Sequence, residues 1–195
     1  MAEKHKPDPK LQPLTRTQIL ATLGVSAFAL WLIVKLWLQF GNVSLLPLRW
    51  TATALLWGGS LALIIIILSS LVYRLWPAYR HSADFYLEFI LKSLLWPDLI
   101  WVALLPGLSE ELLFRGVMLP AFGLNVTAVV LSSLCFGVLH LSGSQQWPYV
   151  AWATVVGLLL GYSALITGNL LVPILAHIIT NLVSSCFWKL KHSES

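Results

Sequence analysis

Residues 61–68 read LALIIIIL, eight apolar side chains in a row inside the longer uncharged stretch Trp50–Tyr73. An α-helix needs roughly 20 such residues to cross a hydrocarbon core of about 30 Å. Inside that core each backbone N–H and C=O must be paired within the segment, so the helix is the form available to it. The stretch is therefore read as a membrane-spanning helix, and it sets the terms for the rest of the chain.

The composition agrees. Of 195 residues, 58% are hydrophobic and 10% are charged, with a mean hydropathy of +0.81. Soluble domains carry about 25% charged residues. This chain has too little polar surface to cover a water-soluble globule, and its length suits a single membrane domain. The basic residues Lys4, Lys6, Lys10, Arg16, Arg74, Arg80, Lys189 and Lys191 lie mainly at the ends of apolar segments. That is a positive-inside pattern, and it predicts a multi-pass protein with a cytoplasmic N-terminus. It gives no support to nucleic-acid binding, which needs a dense basic surface with polar or aromatic readers. Cys135 and Cys186 fall in apolar segments and read as small core residues rather than a disulfide or metal framework. The first apolar run is too long for a secretory signal and is expected to stay as an anchor.

Working outward, Met1–Thr17 is polar with three prolines and is expected to be a flexible cytoplasmic tail. Gln18–Phe40 is a first span. Tyr73–Asp84 (YRLWPAYRHSAD) reads as a polar cytoplasmic loop. Phe85–Leu105 reads as a third span, kinked at Trp96-Pro97-Asp98 and ended by Pro106-Gly107. Ser109–Phe122 and Val126–Leu141 read as short helices, and Pro148–Ile166 and Leu170–Trp188 as longer ones. Gly157 and Gly161 form a close-approach surface that serves a neighbouring helix or a second copy equally well, so the oligomeric state stays open. The expected fold is an all-α polytopic bundle of six to seven membrane-embedded helices. Its divisions are a tail at 1–17, N-terminal spanning helices at 18–84, a core at 85–190 and a short polar tail at 191–195. Seven full crossings would put Lys189 and Lys191 on the side opposite the N-terminus, against the charge pattern. A re-entrant or tilted 109–122 helix would restore the parity.

Charges inside this oil need a reason. Residues 109–116 read SEELLFRG. On a water-exposed helix, Ser109 would be an N-cap, the two glutamates would suit a first turn, and Glu111 and Arg115 would pair at i,i+4. At membrane depth each uncompensated charge costs roughly 2.5–3.5 kcal/mol. Arg115 accounts for Glu111. Glu110 points about 100° away, by the helical period, and needs other polar partners. His140, at the end of LSSLCFGVLH, and His177 with Asn181 four residues on, in LVPILAHIITNLV, are the candidates. A lone histidine in an apolar helix is more often a satisfied core residue. Polar groups from three separate apolar segments point instead to one shared site. Glutamate takes a proton from water, histidine orients that water or binds metal, and asparagine donates to an oxyanion. No serine or cysteine with an evident base is apparent, so the set favours attack by activated water. Glu110, His140 and His177 also make an established zinc ligand set, although HExxH is absent. A metal-free mechanism uses each residue once and needs no cofactor; both alternatives stand at this point.

The three motifs, Glu110-Glu111-Leu-Leu-Phe-Arg115, Phe136-Gly-Val-Leu-His140 and His177-Ile-Ile-Thr-Asn181, resemble those of the CPBP family, the CAAX proteases and bacteriocin-processing enzymes also called Abi proteins. That family carries EExxxR, FxxxH and HxxxN in this order on separate helices, and the resemblance covers roughly residues 95–190. It implies an intramembrane endopeptidase acting on a membrane-associated protein or peptide, such as a prenylated or leader-peptide substrate. Glu110 would activate water with His140, and His177 and Asn181 would stabilise the oxyanion. Glu111 and Arg115 would hold the first motif helix, and Phe136 would pack near the site. An older view of the family makes the glutamates and histidines zinc ligands. Two other functions compete: a non-catalytic membrane scaffold or immunity protein using the same fold, and a transporter with the acid and histidines as an ion path.

Overall fold

The structure, a computed structural model, describes residues 14–192. Residues 1–13 and 193–195 of the two expected tails lie outside the described residues. Among the described residues the chain forms helices and connecting turns with no strand. α1 is Arg16–Phe40, opened by a capping box in which Thr15 and Gln18 bond each other's backbone. α2 is Ala52–Leu75, with the LALIIIIL run at its centre. α3 is Pro77–Leu91, and α4 is Leu99–Glu111. A π-helical segment, Leu112–Met118, carries α4 straight into the short α5, Leu119–Ala121. α6 (Val126–Val138), α7 (Trp147–Thr167) and α8 (Leu171–His192) complete the bundle.

Four polar contacts fix which ends lie together. Arg16, the first residue of α1, donates through Nε and Nη2 to both carboxylate oxygens of Asp98, each at 2.7 Å. Lys189, near the end of α8, donates to the Leu94 carbonyl. Lys191 reaches the ring of Tyr73 at the end of α2. The start of α1 and the ends of α2 and α8 therefore share one face with the 92–98 joint; we call it the joint face. On the opposite face the α1–α2 connection meets the π-helical segment and the α7–α8 turn. Leu46 N–H donates to the Gly116 carbonyl, and the Asn169 side chain both accepts from and donates to the Arg49 backbone.

The chain thus runs out on α1, back on α2, out along α4 to α5, part of the way back on α6, out on α7 and back on α8. Both ends of the described chain lie on the joint face, which resolves the parity conflict. Four of these helices are each long and apolar enough to cross a membrane. α6 has 13 residues, about 20 Å at 1.5 Å per residue, so it stops inside the bundle. Phe28, Leu56 and Phe187 are among many large apolar side chains on the outside, as a lipid-facing surface requires.

α3 departs from the expected loop and third span. Only Trp76 separates it from α2, and Pro77 takes the N1 position, where its missing N–H costs nothing. Both its ends are at the joint face, so α3 lies along that face. It meets the following helix across a 110° bend. Its polar residues are not a loop signal: Arg80, His81 and Glu88 face outward while Tyr79 packs on Tyr149 and Trp152 of α7.

Pro106-Gly107 does not end a helix either. α4 runs through both residues. Ser109 is no N-cap; its hydroxyl donates to the Leu105 carbonyl at 2.7 Å, inside the helix. The two glutamates accordingly sit at the end of α4 and not in a first turn. The glycine is there for packing. A Cβ at Gly107 would lie 2.5 Å from Ile178 Cγ1 and 3.2 Å from Ile178 N on α8. Gly107→Ala should push α8 away one turn from the site and destabilise the protein by roughly 1–3 kcal/mol, the usual cost of overpacking. Thermal unfolding in detergent would show the loss; an unchanged midpoint would mean that α8 gives way freely.

Candidate active site

α4 and α8 cross where Gly107 meets Ile178, and the next turn brings Glu111 to His177. His177 Nδ1 lies 2.9 Å from Glu111 Oε1, and Arg115 Nη1 lies 2.6 Å from the same oxygen. Glu111 and Arg115 are both fully buried. Arg115 also donates from Nη2 to the Gly157 carbonyl at 2.8 Å, and its guanidinium sits 4.5 Å from the centre of the Phe136 ring. Gly157 allows this: a Cβ there would come within 3.3 Å of Arg115 Nη2, Phe136 Cδ1 and Ser133 Cβ. The Gly157/Gly161 pair thus packs against α6 within the chain. The wider π-helical turn runs through Arg115 itself, and such segments often occur at functional sites.

α6 supplies the second half. Because it stops short, His140, two residues past its end, lies inside the bundle. His140 Nδ1 is 2.8 Å from the Phe136 carbonyl oxygen. A carbonyl only accepts, so Nδ1 carries the proton and neutral His140 keeps its lone pair on Nε2. That Nε2 faces Glu110 Oε2 at 3.9 Å. The separation is too long for a direct hydrogen bond and within reach of one bridging water. Among the described residues Glu110 Oε2 has no hydrogen-bond partner.

The adjacent glutamates divide as the helical period requires. Glu110 and His140 are 18% and 15% exposed at the side chain, and both line a cavity of about 690 Å³ together with Phe136, His177 and Asn181. Glu111 and Arg115 lie behind that wall. All four residues expected to carry the chemistry therefore open on one space. Two features were missed in the sequence. One is the Glu111–His177 bond, since Arg115 already accounted for the charge of Glu111; the signal was a second carboxylate lone pair left unassigned. The other is the aromatic wall, in which Tyr149 stacks on Tyr86 at 4.5 Å between ring centres and lies 6.1 Å from the His140 ring.

Zinc is the group an older view of such motifs implies. Both histidines hold Nδ1 on an oxygen acceptor, which suits Nε2 ligation. Three ligands are not gathered, however: among the described residues no group of three or more His, Cys, Asp or Glu could hold a metal ion. Glu111, the acid nearest to His177, is occupied by Arg115. The residues present do not fit the ion, and no step below passes through one.

Comparison with known proteins places the same segment. The family described as type II CAAX prenyl endopeptidase, Rce1-like, matches residues 92–183, from the α3–α4 joint to the middle of α8. All seven motif residues lie in that range. An uncharacterized Bacillus subtilis (strain 168) protein, YpbD, is 29% identical over 182 residues, covering 90% of this chain and 88% of its own. No solved structure matches the chain.

Proposed function

We propose, from the match of residues 92–183 to the family described as type II CAAX prenyl endopeptidase, Rce1-like, that the chain hydrolyses a peptide bond of a membrane-associated substrate using water activated by Glu110 and His140. The observation that carries this reading is the Glu110–His140 pair. A carboxylate oxygen and an imidazole lone pair face each other at 3.9 Å across the wall of a cavity. Water held between them loses a proton to Glu110 as its oxygen bonds to the scissile carbonyl carbon. The carbonyl π electrons move to oxygen, and Asn181 donates a hydrogen bond to that oxyanion. His177 donates from Nε2 only as an imidazolium, for which Glu111 Oε1, 2.9 Å from Nδ1, is the counter-charge. The C–N bond then breaks, and Glu110 returns its proton to the leaving amine. Arg115, bonded to Glu111 at 2.6 Å, holds that carboxylate in place.

The test is hydrolysis by the full chain in liposomes of a quenched fluorescent farnesylated peptide ending in a CAAX sequence, beside the same peptide on a plain acyl anchor. Cleavage of either, abolished by Glu110→Gln, supports the reading. Zinc chelation should leave the rate unchanged; a rate lost on chelation and restored by zinc would overturn the metal-free mechanism. No cleavage by folded protein, with a cellular phenotype that Glu110→Gln retains, would favour the scaffold.

Orientation follows from charge. The joint face holds Arg16, Arg74, Lys92, Lys189 and Lys191, whereas Arg49 lies at the opposite face and Lys35 near that end of α1. This supports a cytoplasmic joint face with both ends of the chain on it. Fluorescent protein fused after Ser195 should fold and glow in bacteria, and alkaline phosphatase fused there should be inactive. The reverse pair of results would invert the topology.

A further inference from the structure

The chemistry above uses His177 and Asn181 and leaves the rest of that α8 face without a role. Thr180 and Ser184 complete a stripe with them, at i, i+3, i+4 and i+7, and all four residues line the cavity. That spacing is one face of a helix. Hydroxyls elsewhere in the bundle are disposed of differently. Ser109, Ser133, Thr154 and Thr167 each donate to the carbonyl four residues earlier in their own helix, the usual way to satisfy a hydroxyl in apolar surroundings. Thr180 does not use the Ala176 carbonyl, and its Oγ1 is buried without a partner. Among the described residues the Asn181 amide and the Ser184 hydroxyl have none either. Unpaired polar groups are costly in an apolar interior, and these open on the same cavity as Glu110 and His140.

The lining from α1 and α3 is different. Leu23, Ala27 and Leu30 of α1 and Tyr86, Phe89 and Ile90 of α3 line the cavity too, with Thr22 and Ser26 the polar residues that α1 adds. The cavity therefore has a hydrogen-bonding stripe on α8 and a mostly apolar lining from α1 and α3. An alkyl chain alone would leave the α8 groups unpaired. An extended peptide satisfies both. Its N–H and C=O groups recur on one side every two residues, about 6.6 Å. His177 and Asn181 are separated by about 6 Å along α8, and Ser184 lies about 4.5 Å further toward the joint face.

We infer that Thr180 and Ser184 form a subsite for the main chain of an extended peptide, next to the scissile bond on the joint-face side. This assignment rests on the endopeptidase reading and extends it to two residues outside the three motifs. Thr180 and Ser184 hold the substrate strand by hydrogen bonds, and the α1–α3 lining takes its apolar side chains.

The test uses the full chain in liposomes with Cys135→Ala, Cys186→Ala and Glu110→Gln, so that bound peptide is not consumed. Ser184→Cys then supplies a single thiol for a water-soluble methanethiosulfonate. The farnesylated CAAX peptide, at ten times its half-protecting concentration, should slow labelling about tenfold by simple occupancy. Adding Thr180→Val, nearly the same shape without the hydroxyl, should raise the half-protecting concentration about fivefold, the worth of one hydrogen bond. Labelling that the peptide does not slow would make the stripe a water path and overturn the subsite. An unreactive thiol, or a half-protecting concentration that Thr180→Val leaves unchanged, would overturn it too. Protection without cleavage by the Glu110-containing protein would instead overturn hydrolysis while leaving peptide binding intact, so the two failures read differently.

Discussion

Glu110→Gln should lower the peptide hydrolysis rate by about 10²–10⁴-fold, the range for removing a general base, while the protein unfolds at the same temperature as the wild type. The expectation follows from where Glu110 sits. Its carboxylate is partly exposed to the cavity, and it makes no buried ion pair. Glutamine keeps the shape and the hydrogen-bonding length but takes no proton from water. Rates in liposomes, with thermal unfolding in detergent alongside, check both halves. A variant that keeps a tenth or more of the activity would remove Glu110 from the chemistry. A variant that unfolds early would make it a packing residue.

Arg115→Ala should have the opposite profile. Arg115 and Glu111 are fully buried and bonded at 2.6 Å, and removing one partner leaves the other charge stranded. Such losses cost roughly 3–5 kcal/mol, and here they add the loss of the Gly157 carbonyl bond and of the guanidinium over Phe136. Low expression and a lowered unfolding temperature are the expected readings. The double change Glu111→Leu with Arg115→Met should recover much of the stability, because a buried ion pair is often replaceable by apolar residues of similar volume. It should not recover the activity, since His177 loses the carboxylate at its Nδ1. Recovery of both would confine the pair to packing. Failure of the double change to restore stability would mean that this geometry needs the charges themselves.

The contrast between those two variants was partly legible in the sequence. Glu110 and Glu111 are neighbours, yet a helical period sends them to different sides, and Arg115 at i+4 marks which one is paired. LALIIIIL marked a span because nothing polar interrupts it. His140 and His177 stood out because histidines are rare in oil. Other features were not legible, for physical reasons. The polar residues of 77–84 suggested a loop, but in an amphipathic helix lying along a face the polar side simply turns outward. Pro106-Gly107 suggested a stop, but membrane helices tolerate proline when neighbouring groups satisfy the backbone, and Gly107 was needed where α8 comes closest. The Glu111–His177 bond depends on how two helices 66 residues apart in sequence cross, which no local pattern encodes. The same holds for Thr180, whose unpaired hydroxyl is visible only once the cavity is.

In the proposed mechanism Glu110 and His140 act on one water as a unit. Groups that act as a unit are strongly non-additive in mutant kinetics. The most direct measurement is therefore a double-mutant cycle in liposomes: hydrolysis rates for Glu110→Gln, His140→Ala and the two together, at matched folded protein. The double variant should be no slower than the slower single one, because either change alone already dismantles the water site. Losses that multiply, with each single variant retaining its own separable share of the rate, would show two independent contributions and contradict it.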